Sequence, residues 1–379
     1  MKDKKPINLE DFLSKLANPD GEIPPEQQKL AAQMKTLFRV SSNEKLDATA
    51  KEHLWAAIQR NTPRTVYQFP AFRVAATITL LLLIGAGLYL YSTRGGANPM
   101  QLAASRAAIP ASATNTQLIL SDQQTISLAQ DESEIIYQEN GTRILLDSGS
   151  VINRPAGREA LAYNTLVVPY GKRSTLTLHD GTKVWLNSGS KLVYPDHFSD
   201  AQREVYLDGE AYFSVQHDAS LPFYVHTGDL QIEVLGTEFD VSAYADDAES
   251  YAVLARGSIE LTANKEAIFG KIKKELVPGT RAVYSPSAEK VQVGSVRVEE
   301  YTAWKEGYMI LNRVPLGEIL KKLARYYRVE LTVENALAGQ ETFSGKLDLQ
   351  EDITQVLNII CATTSLTYEQ RERRFVLKK

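Results

Sequence analysis

The chain has 379 residues, of which 44% are hydrophobic and 23% charged, and its formal net charge is −4. This length allows two or three domains with their own cores, and the ordinary composition argues against wholesale disorder. The acidic balance argues against a dedicated nucleic-acid binder, which would present a basic face. The single cysteine, Cys361, excludes an internal disulfide and a four-cysteine metal site.

Residues 1–73 contain three short amphipathic helical patterns, around 9–16, 30–38 and 46–58, followed by a proline-containing linker at 61–72. A segment of this size is too small to bury all these apolar faces alone. It is either a marginal three-helix bundle that only tethers the chain, or a group of helices that contacts a partner. The candidate contact residues are the apolar side chains Leu30, Met34, Leu37, Phe38, Leu54, Trp55 and Ile58.

Residues 74–93 form an uncharged apolar stretch between Arg73 and Arg94. A helix of this length is about 30 Å long, which matches the hydrocarbon core of a bilayer. We therefore predict a transmembrane helix with the two arginines at its boundaries, and a buried core helix is the less favoured alternative. Arg60, Arg64 and Arg73 lie close before the stretch, against Arg94 and Arg106 after it, which favours a cytoplasmic N-terminus.

The next segment, 94–117, is rich in Ala, Ser, Pro, Asn and Gln and predicts a spacer. From 118 to 298 the apolar period changes from 3.6 to 2, and strands recur about every ten residues. This pattern predicts an all-β domain of sandwich or solenoid type.

Turn signals within this region predict hairpins at 118–128 and 176–186, where apolar residues alternate on both sides of a turn. An internal repeat supports this interpretation: GTRILLDSGSVINRP at 141–155 and GTKVWLNSGSKLVYP at 181–195 share Gly-Thr, a Leu, Ser-Gly-Ser and a final Pro. Repeated hairpins that stack on one another would bury a shared core. The repeat predicts structure and implies no chemistry.

Residues 299–379 change pattern again, to the order β-α-β-β-α-β-β, which predicts a small α+β domain. One predicted helix follows Pro315, and the other is capped by Asp352. Cys361 lies on the apolar stripe of the second helix, which predicts a buried, inert thiol. The predicted fold is thus multidomain: a short helical segment, one transmembrane helix, an all-β domain with repeated hairpins and an α+β domain.

No pattern typical of an enzyme is present. Asp208 and Glu210 are two residues apart and superficially resemble paired carboxylates, but we predict a turn at Asp208-Gly209 with Glu210 opening the next strand. The five histidines show no metal spacing, and neither a nucleophile elbow nor a phosphate loop occurs. We predict a protein that is not an enzyme and has no metal or cofactor.

One Gly-Thr pair, Gly236-Thr237, could undergo a single self-cleavage. A threonine hydroxyl can attack the preceding carbonyl if the backbone is strained, and the resulting N→O acyl shift cuts the chain. The same pair recurs at 141, 181 and 279, in each case where a turn meets a strand. A plain turn is therefore the default interpretation, with self-cleavage as the alternative.

Five segments resemble a known family. VVPYGKRSTLTLHDGTKVWLNSGSKLVYPDHF, REVYLDGEAYFSV, PFYVHTGDLQIEVLGTEFDVSAY and LARGSIEL resemble the periplasmic domain of FecR-type anti-sigma factors, especially those of Bacteroidetes. EGYMILNRVPLGEILKKLARYYRVELTV resembles the C-terminal domain that accompanies it. That domain is similar to the short N-terminal signalling domain of secretins and TonB-dependent receptors.

The resemblance implies a single-pass inner-membrane regulator with a cytoplasmic N-terminus and periplasmic C-terminal domains. A TonB-dependent outer-membrane receptor would present its periplasmic signalling domain to residues 118–379. Residues 1–73 would hold or release an extracytoplasmic-function sigma factor through the candidate contact residues, without touching nucleic acid directly. Some FecR-like proteins are thought to self-cleave at a Gly-Thr pair of this kind.

The alternative function is a membrane-anchored periplasmic module that binds carbohydrate or protein and has no sigma partner. Carbohydrate binding would need exposed aromatic platforms, for which Trp185, Tyr194 and Tyr212 are candidates. These three residues alternate with their neighbours as core residues would.

Overall fold

The computed structural model of the chain describes residues 99–106, 113–138, 141–147, 149–153, 162–267, 270–335 and 337–378, together with isolated positions between 12 and 87. The chain divides into two compact units, Met1–Arg94 and Gly95–Lys379.

In the first unit, the described positions within the predicted helical patterns are helical, among them Phe12, Met34 and Glu52. Phe12 and Ala31 are buried, and the Ala31 amide donates to the Gln27 carbonyl at 2.9 Å, as in a helical turn. The remaining residues of these patterns lie outside the described residues.

Of the predicted transmembrane helix 74–93, the structure describes Leu83, Ile84, Gly85 and Gly87, all helical and exposed. The rest of this stretch lies outside the described residues, as do the predicted boundary residues Arg73 and Arg94. Among the described residues, no helix combines the length and the apolar character needed to cross a membrane.

The described part of the second unit begins with a helix and continues with a β domain of 18 strands. The helix, α1, spans Pro99–Arg106. The strands are β1 Thr116–Ile119, β2 Thr125–Leu128, β3 Glu132–Gln138, β4 Arg143–Leu146, β5 Ser150–Asn153, β6 Tyr163–Val168, β7 Arg173–Thr177, β8 Lys183–Leu186, β9 Ser190–Pro195, β10 Arg203–Ser214, β11 Phe223–His226, β12 Leu230–Val234, β13 Glu238–Ala243, β14 Ser250–Arg256, β15 Ile259–Ala267, β16 Gly270–Leu276, β17 Thr280–Ser285 and β18 Lys290–Ser295.

These strands form two sheets around one hydrophobic core. The first sheet has the order β2-β1-β6-β9-β10-β11-β12-β15-β16, and the second has the order β5-β4-β3-β7-β8-β10-β13-β14-β17-β18. Alternate side chains of both sheets enter the core, as Leu176, Val225 and Phe239 do. The prediction of an all-β domain is therefore confirmed, and its architecture is that of two facing sheets.

Strand β10 belongs to both sheets, and this corrects the predicted turn at Asp208-Gly209. The strand pairs with β9 as far as Asp208 and with β13 from Gly209 onward. Gly209 has a φ of +124°, and a Cβ there would lie 2.5 Å from the Ser190 hydroxyl oxygen. Because only glycine tolerates this conformation and this close approach, the strand can bend here and cross between the sheets.

The two copies of the internal repeat fold differently. In the first copy β4 and β5 pair as a hairpin, whereas in the second copy β8 joins the second sheet and β9 joins the first. Every residue of β9 is buried, while β5 is a largely exposed edge strand. The hairpins predicted at 118–128 and 176–186 are present as β1–β2 and β7–β8.

Helix α1 lies inside the predicted spacer 94–117, so this part of the spacer is structured. Met100 and Ala104, four residues apart on one helical face, are buried against Val193 of β9 and Tyr206 of β10. The sequence pattern is too short to signal a helix by itself, since a segment of this length gives only about two turns.

The C-terminal domain begins with two short helices that the sequence pattern does not predict, α2 Glu299–Thr302 and a 3-10 helix Ala303–Glu306. The predicted β-α-β-β-α-β-β order then follows. Its elements are β19 Tyr308–Pro315, α3 Leu316–Tyr327, β20 Glu330–Val333, β21 Thr342–Asp348, α4 Ile353–Ala362, β22 Thr367–Arg371 and β23 Arg374–Lys378, with a 3-10 helix Ala338–Gln340 before β21.

This domain has its own apolar core, which includes Leu320 of α3 and Leu357 of α4. Strand β19 pairs with β21, and β23 lies between β20 and β22. The Asp352 carboxylate accepts a hydrogen bond from the Thr354 amide at 2.7 Å, which confirms the predicted cap of α4. Cys361 packs against this core, and burial raises the pKa of its thiol.

Candidate functional site

The face of the second sheet that points away from the core carries aromatic and acidic side chains. Strand alternation sends one set of residues into the core and the other set outward. The outward set is Trp185, Glu210, Tyr212, Asp240 and Tyr251. Residues 299–306 and α3 of the C-terminal domain cover this face, and we call the contact region the joint.

Trp304 anchors the joint. Its side chain is buried, and its indole nitrogen donates to Asp240 Oδ1 at 3.2 Å. Arg173 of β7 donates to the Trp304 carbonyl at 2.8 Å. The neighbouring Lys305 ammonium lies 3.5 Å from the ring centroid of Tyr212, which is a close cation–π contact.

Two carboxyl groups are buried on this face, Glu210 on β10 and Asp240 on β13. Glu210 accepts hydrogen bonds from the Tyr251 hydroxyl at 2.9 Å and from Asn187 Nδ2 at 2.6 Å. Asp240 is fully buried, and its Oδ2 has no hydrogen-bond partner among the described residues. Burial, and then the nearby charge of Glu210, raise the pKa of Asp240 well above its usual range. The closed joint therefore favours a protonated Asp240.

Arg325 of α3 forms a second anchor. Its buried guanidinium donates to Asp246 at 2.7 Å and to Asp247 at 2.6 and 3.0 Å, and it lies 3.7 Å from the ring centroid of Tyr244. Burial alone would raise the pKa of Asp247, but the hydrogen bonds from Arg325 and Lys321 outweigh it and lower that pKa. The Arg325 carbonyl also accepts from the Gly171 amide at 2.9 Å.

The joint is thus made of ion pairs, hydrogen bonds and cation–π contacts, and the apolar cores of the two domains are separate. Polar interfaces between domains of one chain generally separate more easily than large apolar ones. This arrangement can hold the C-terminal domain in one position and still release it.

Sequence reasoning missed the joint. Trp185 and Tyr212, two of the candidate carbohydrate platforms, pack edge to face with each other at 5.7 Å and lie beneath Lys305. The third candidate, Tyr194, is a core residue whose hydroxyl contacts that of Tyr137 at 2.9 Å. Among the described residues, no cluster of His, Cys, Asp or Glu could hold a metal ion.

The Gly236-Thr237 pair lies immediately before β13, where close packing explains both residues. A Cβ at position 236 would lie 2.4 Å from His217 Nδ1. Thr237 is buried, and its hydroxyl donates to the Ser258 carbonyl at 2.9 Å. These contacts give the pair a structural role, and self-cleavage stays a prediction.

Of the seven candidate contact residues in the N-terminal unit, the structure describes Met34, which is helical and half-buried. The other six, Leu30, Leu37, Phe38, Leu54, Trp55 and Ile58, lie outside the described residues.

Comparisons with known proteins match both domains to described families. Residues 164–260 match the FecR protein family, and residues 308–377 match the family described as FecR, C-terminal. Two crystal structures from Parabacteroides distasonis ATCC 8503, at 1.65 and 2.50 Å resolution, are similar in fold, and each is provisionally described as an anti-sigma factor. They are 29% and 28% identical, with TM-scores of 0.52 and 0.53, and each match covers 57% of this chain and 98% or 99% of the other.

No curated protein sequence matches the chain. The two family matches and the two structures nevertheless define its class, that of FecR-domain regulators. The chain is a FecR-type anti-sigma factor and not an enzyme.

Proposed function

We propose that the chain is a single-pass inner-membrane regulator that relays a signal from a TonB-dependent outer-membrane receptor to an extracytoplasmic-function sigma factor. The polar joint carries this proposal, because it gives the two FecR domains a contact that a partner can open. The C-terminal domain is then the receiver, and residues 1–73 are the sigma-binding segment, separated from it by the apolar stretch 74–93.

The receiver offers an edge for a partner strand. Among the described strands, β22 pairs with β23 alone, and most of its side chains are exposed. An exposed edge can accept an added strand through backbone hydrogen bonds. The periplasmic signalling domain of the receptor is the proposed partner at this edge.

The sigma-binding segment is tested with the full-length protein in detergent as bait in an extract of its own cells. Wild-type protein is expected to capture a sigma factor, and Trp55→Asp to lose it, because a buried aromatic anchor often contributes about 2 kcal/mol or more to binding. Glu52→Gln is the matched control, since Glu52 is an exposed position on the same predicted helix. Capture of no sigma factor by the wild type would favour the alternative, a periplasmic binding module without a sigma partner.

The membrane orientation needs a separate test. An alkaline phosphatase fused after Lys379 is expected to be active, and a fluorescent protein that matures only in the cytoplasm is expected to be dark at the same position. The opposite pair of results, or recovery of the chain without detergent, would refute the proposed topology.

A further inference from the structure

A buried lysine of the β domain contacts the C-terminal end of helix α1. The Lys191 ammonium on β9 donates to the Ala104 carbonyl at 2.7 Å and lies 3.4 Å from the Asp208 carboxylate. Lys191 is only 6% exposed. The last carbonyls of a helix have no partner within the helix, and a cation near them is favourable. Lys191, paired with Asp208, therefore holds the C-terminal end of α1.

The rest of the α1 contact is small. Met100 and Ala104 are its buried residues, and they meet Val193 and Tyr206 of the first sheet. Gln101 also hydrogen-bonds to the Tyr206 side chain. Short elements with few buried apolar contacts open at a lower free energy than core strands do. Loss of the lysine contact is therefore expected to free α1 while the sheets stay folded.

The residues that hold α1 are directly adjacent to residues that form the joint. Asp208, which pairs with the lysine that holds α1, and Glu210, which lies under the C-terminal domain, flank Gly209 on β10. On β9, Lys191 follows Ser190, whose hydroxyl donates to the Glu210 carbonyl at 3.0 Å and lies 2.9 Å from the Glu210 amide. Strands β9 and β10 thus carry residues of both the α1 contact and the joint.

Close packing leaves little room for the joint to move without also moving the residues that hold α1. Ser190 is fully buried, and the Gly209 backbone lies so close to it that an added Cβ would clash. A shift of the Glu210 backbone must therefore displace Ser190 or Gly209, and both are bonded to a residue that holds α1. Closely packed interiors transmit such displacements instead of absorbing them.

We propose that docking of α1 and docking of the C-terminal domain are coupled through β9 and β10, so that opening the joint releases α1. The coupling goes beyond the proposed function, and it holds whether or not a sigma factor or a receptor binds. Since α1 begins shortly after the predicted membrane helix ends, its release would lengthen the connection between that helix and the β domain.

The test is hydrogen exchange, read by mass spectrometry on the full-length protein in detergent. Arg325→Met opens the joint without touching α1 and is expected to raise exchange of the α1 amides about 5- to 150-fold, the usual range of coupling. Lys191→Met frees α1 and, by reciprocity, is expected to raise exchange in residues 303–306.

Lys273→Met serves as the control, because it removes an exposed ion pair between Lys273 of β16 and Glu260 of β15, away from both sites. Unchanged protection of β12, which pairs with β11 and β15, shows that each variant is folded. An opened joint, seen as faster exchange in 303–306, with α1 still protected as in the wild type, would overturn the coupling. The readout uses no partner protein, so its failure is distinct from failure of the proposed function.

Discussion

Replacing Arg325 with Met is the sharpest test of the joint. The variant removes the guanidinium that bonds Asp246 and Asp247 and stacks on Tyr244, while the Met side chain keeps much of the packing of the stem. Loss of one partner from a fully buried ion pair costs about 3–5 kcal/mol. Here Asp246 is 59% exposed, and Lys321 still pairs with Asp247, so this loss must be discounted for solvent screening.

The discounted ion pairs contribute about 1–2 kcal/mol, and the close stacking on Tyr244 adds about 1 kcal/mol. We therefore expect Arg325→Met to weaken closure of the joint by about 2–3 kcal/mol, which is roughly a 30- to 150-fold change in the equilibrium. Hydrogen exchange of residues 303–306 measures this change in the full-length protein. Lys321→Met is the control, because Lys321 is 43% exposed and its removal should cost about 1 kcal/mol or less. Equal effects of the two variants would refute the reasoning.

Three further predictions concern single residues. The folded state raises the pKa of Asp240, so this carboxyl stabilises the fold at acid pH, and the stabilisation is lost as the pH rises through the raised pKa. Asp240→Asn should therefore melt at a higher temperature than wild type at pH 8, and its melting temperature should depend less on pH. Gly209→Ala should lower stability by about 2 kcal/mol or more in thermal unfolding, whereas Gly228→Ala, where a Cβ meets nothing within 4 Å, should change it little. Thr237→Ala should cost about 1–3 kcal/mol through the lost bond to Ser258, and wild-type protein should run as a single full-length band on a denaturing gel.

Each of these predictions has a result that would count against it. An Asp240→Asn melting curve with the same pH dependence as wild type would mean that this carboxyl does not carry the buried proton. A stable Gly209→Ala would mean that β10 can cross between the sheets without its close approach to Ser190. Two bands that break at Thr237, and that Thr237→Ala abolishes, would establish self-cleavage in place of a purely structural role.

The sequence was most informative where local pattern and tertiary structure agree. Alternating apolar residues predicted the strands of the β domain, and Pro315 and Asp352 marked the starts of α3 and α4. In these elements the residues that decide the local conformation also face the core, so the apolar periodicity of the sequence is enough to predict the element.

Prediction failed where a distant part of the chain decides the local structure. Asp208-Gly209 has the composition of a turn, but close packing against Ser190 keeps the chain extended. The two copies of the repeat differ because β9 is inserted between β6 and β10, whereas β5 stays at an edge. The joint was missed because Trp185 and Tyr212 alternate as core residues do, and alternation does not reveal that another domain covers the second face of a sheet.

Strand β10 also has a consequence for how the β domain is made. Because one continuous strand supplies hydrogen bonds to both layers, neither layer is complete until the other has formed, and partners far apart in sequence must meet before either gains stability. We therefore expect this domain to assemble in one slow, cooperative step after synthesis. Insertions would be tolerated at the exposed turn between β17 and β18, residues 287–289, and not within β10.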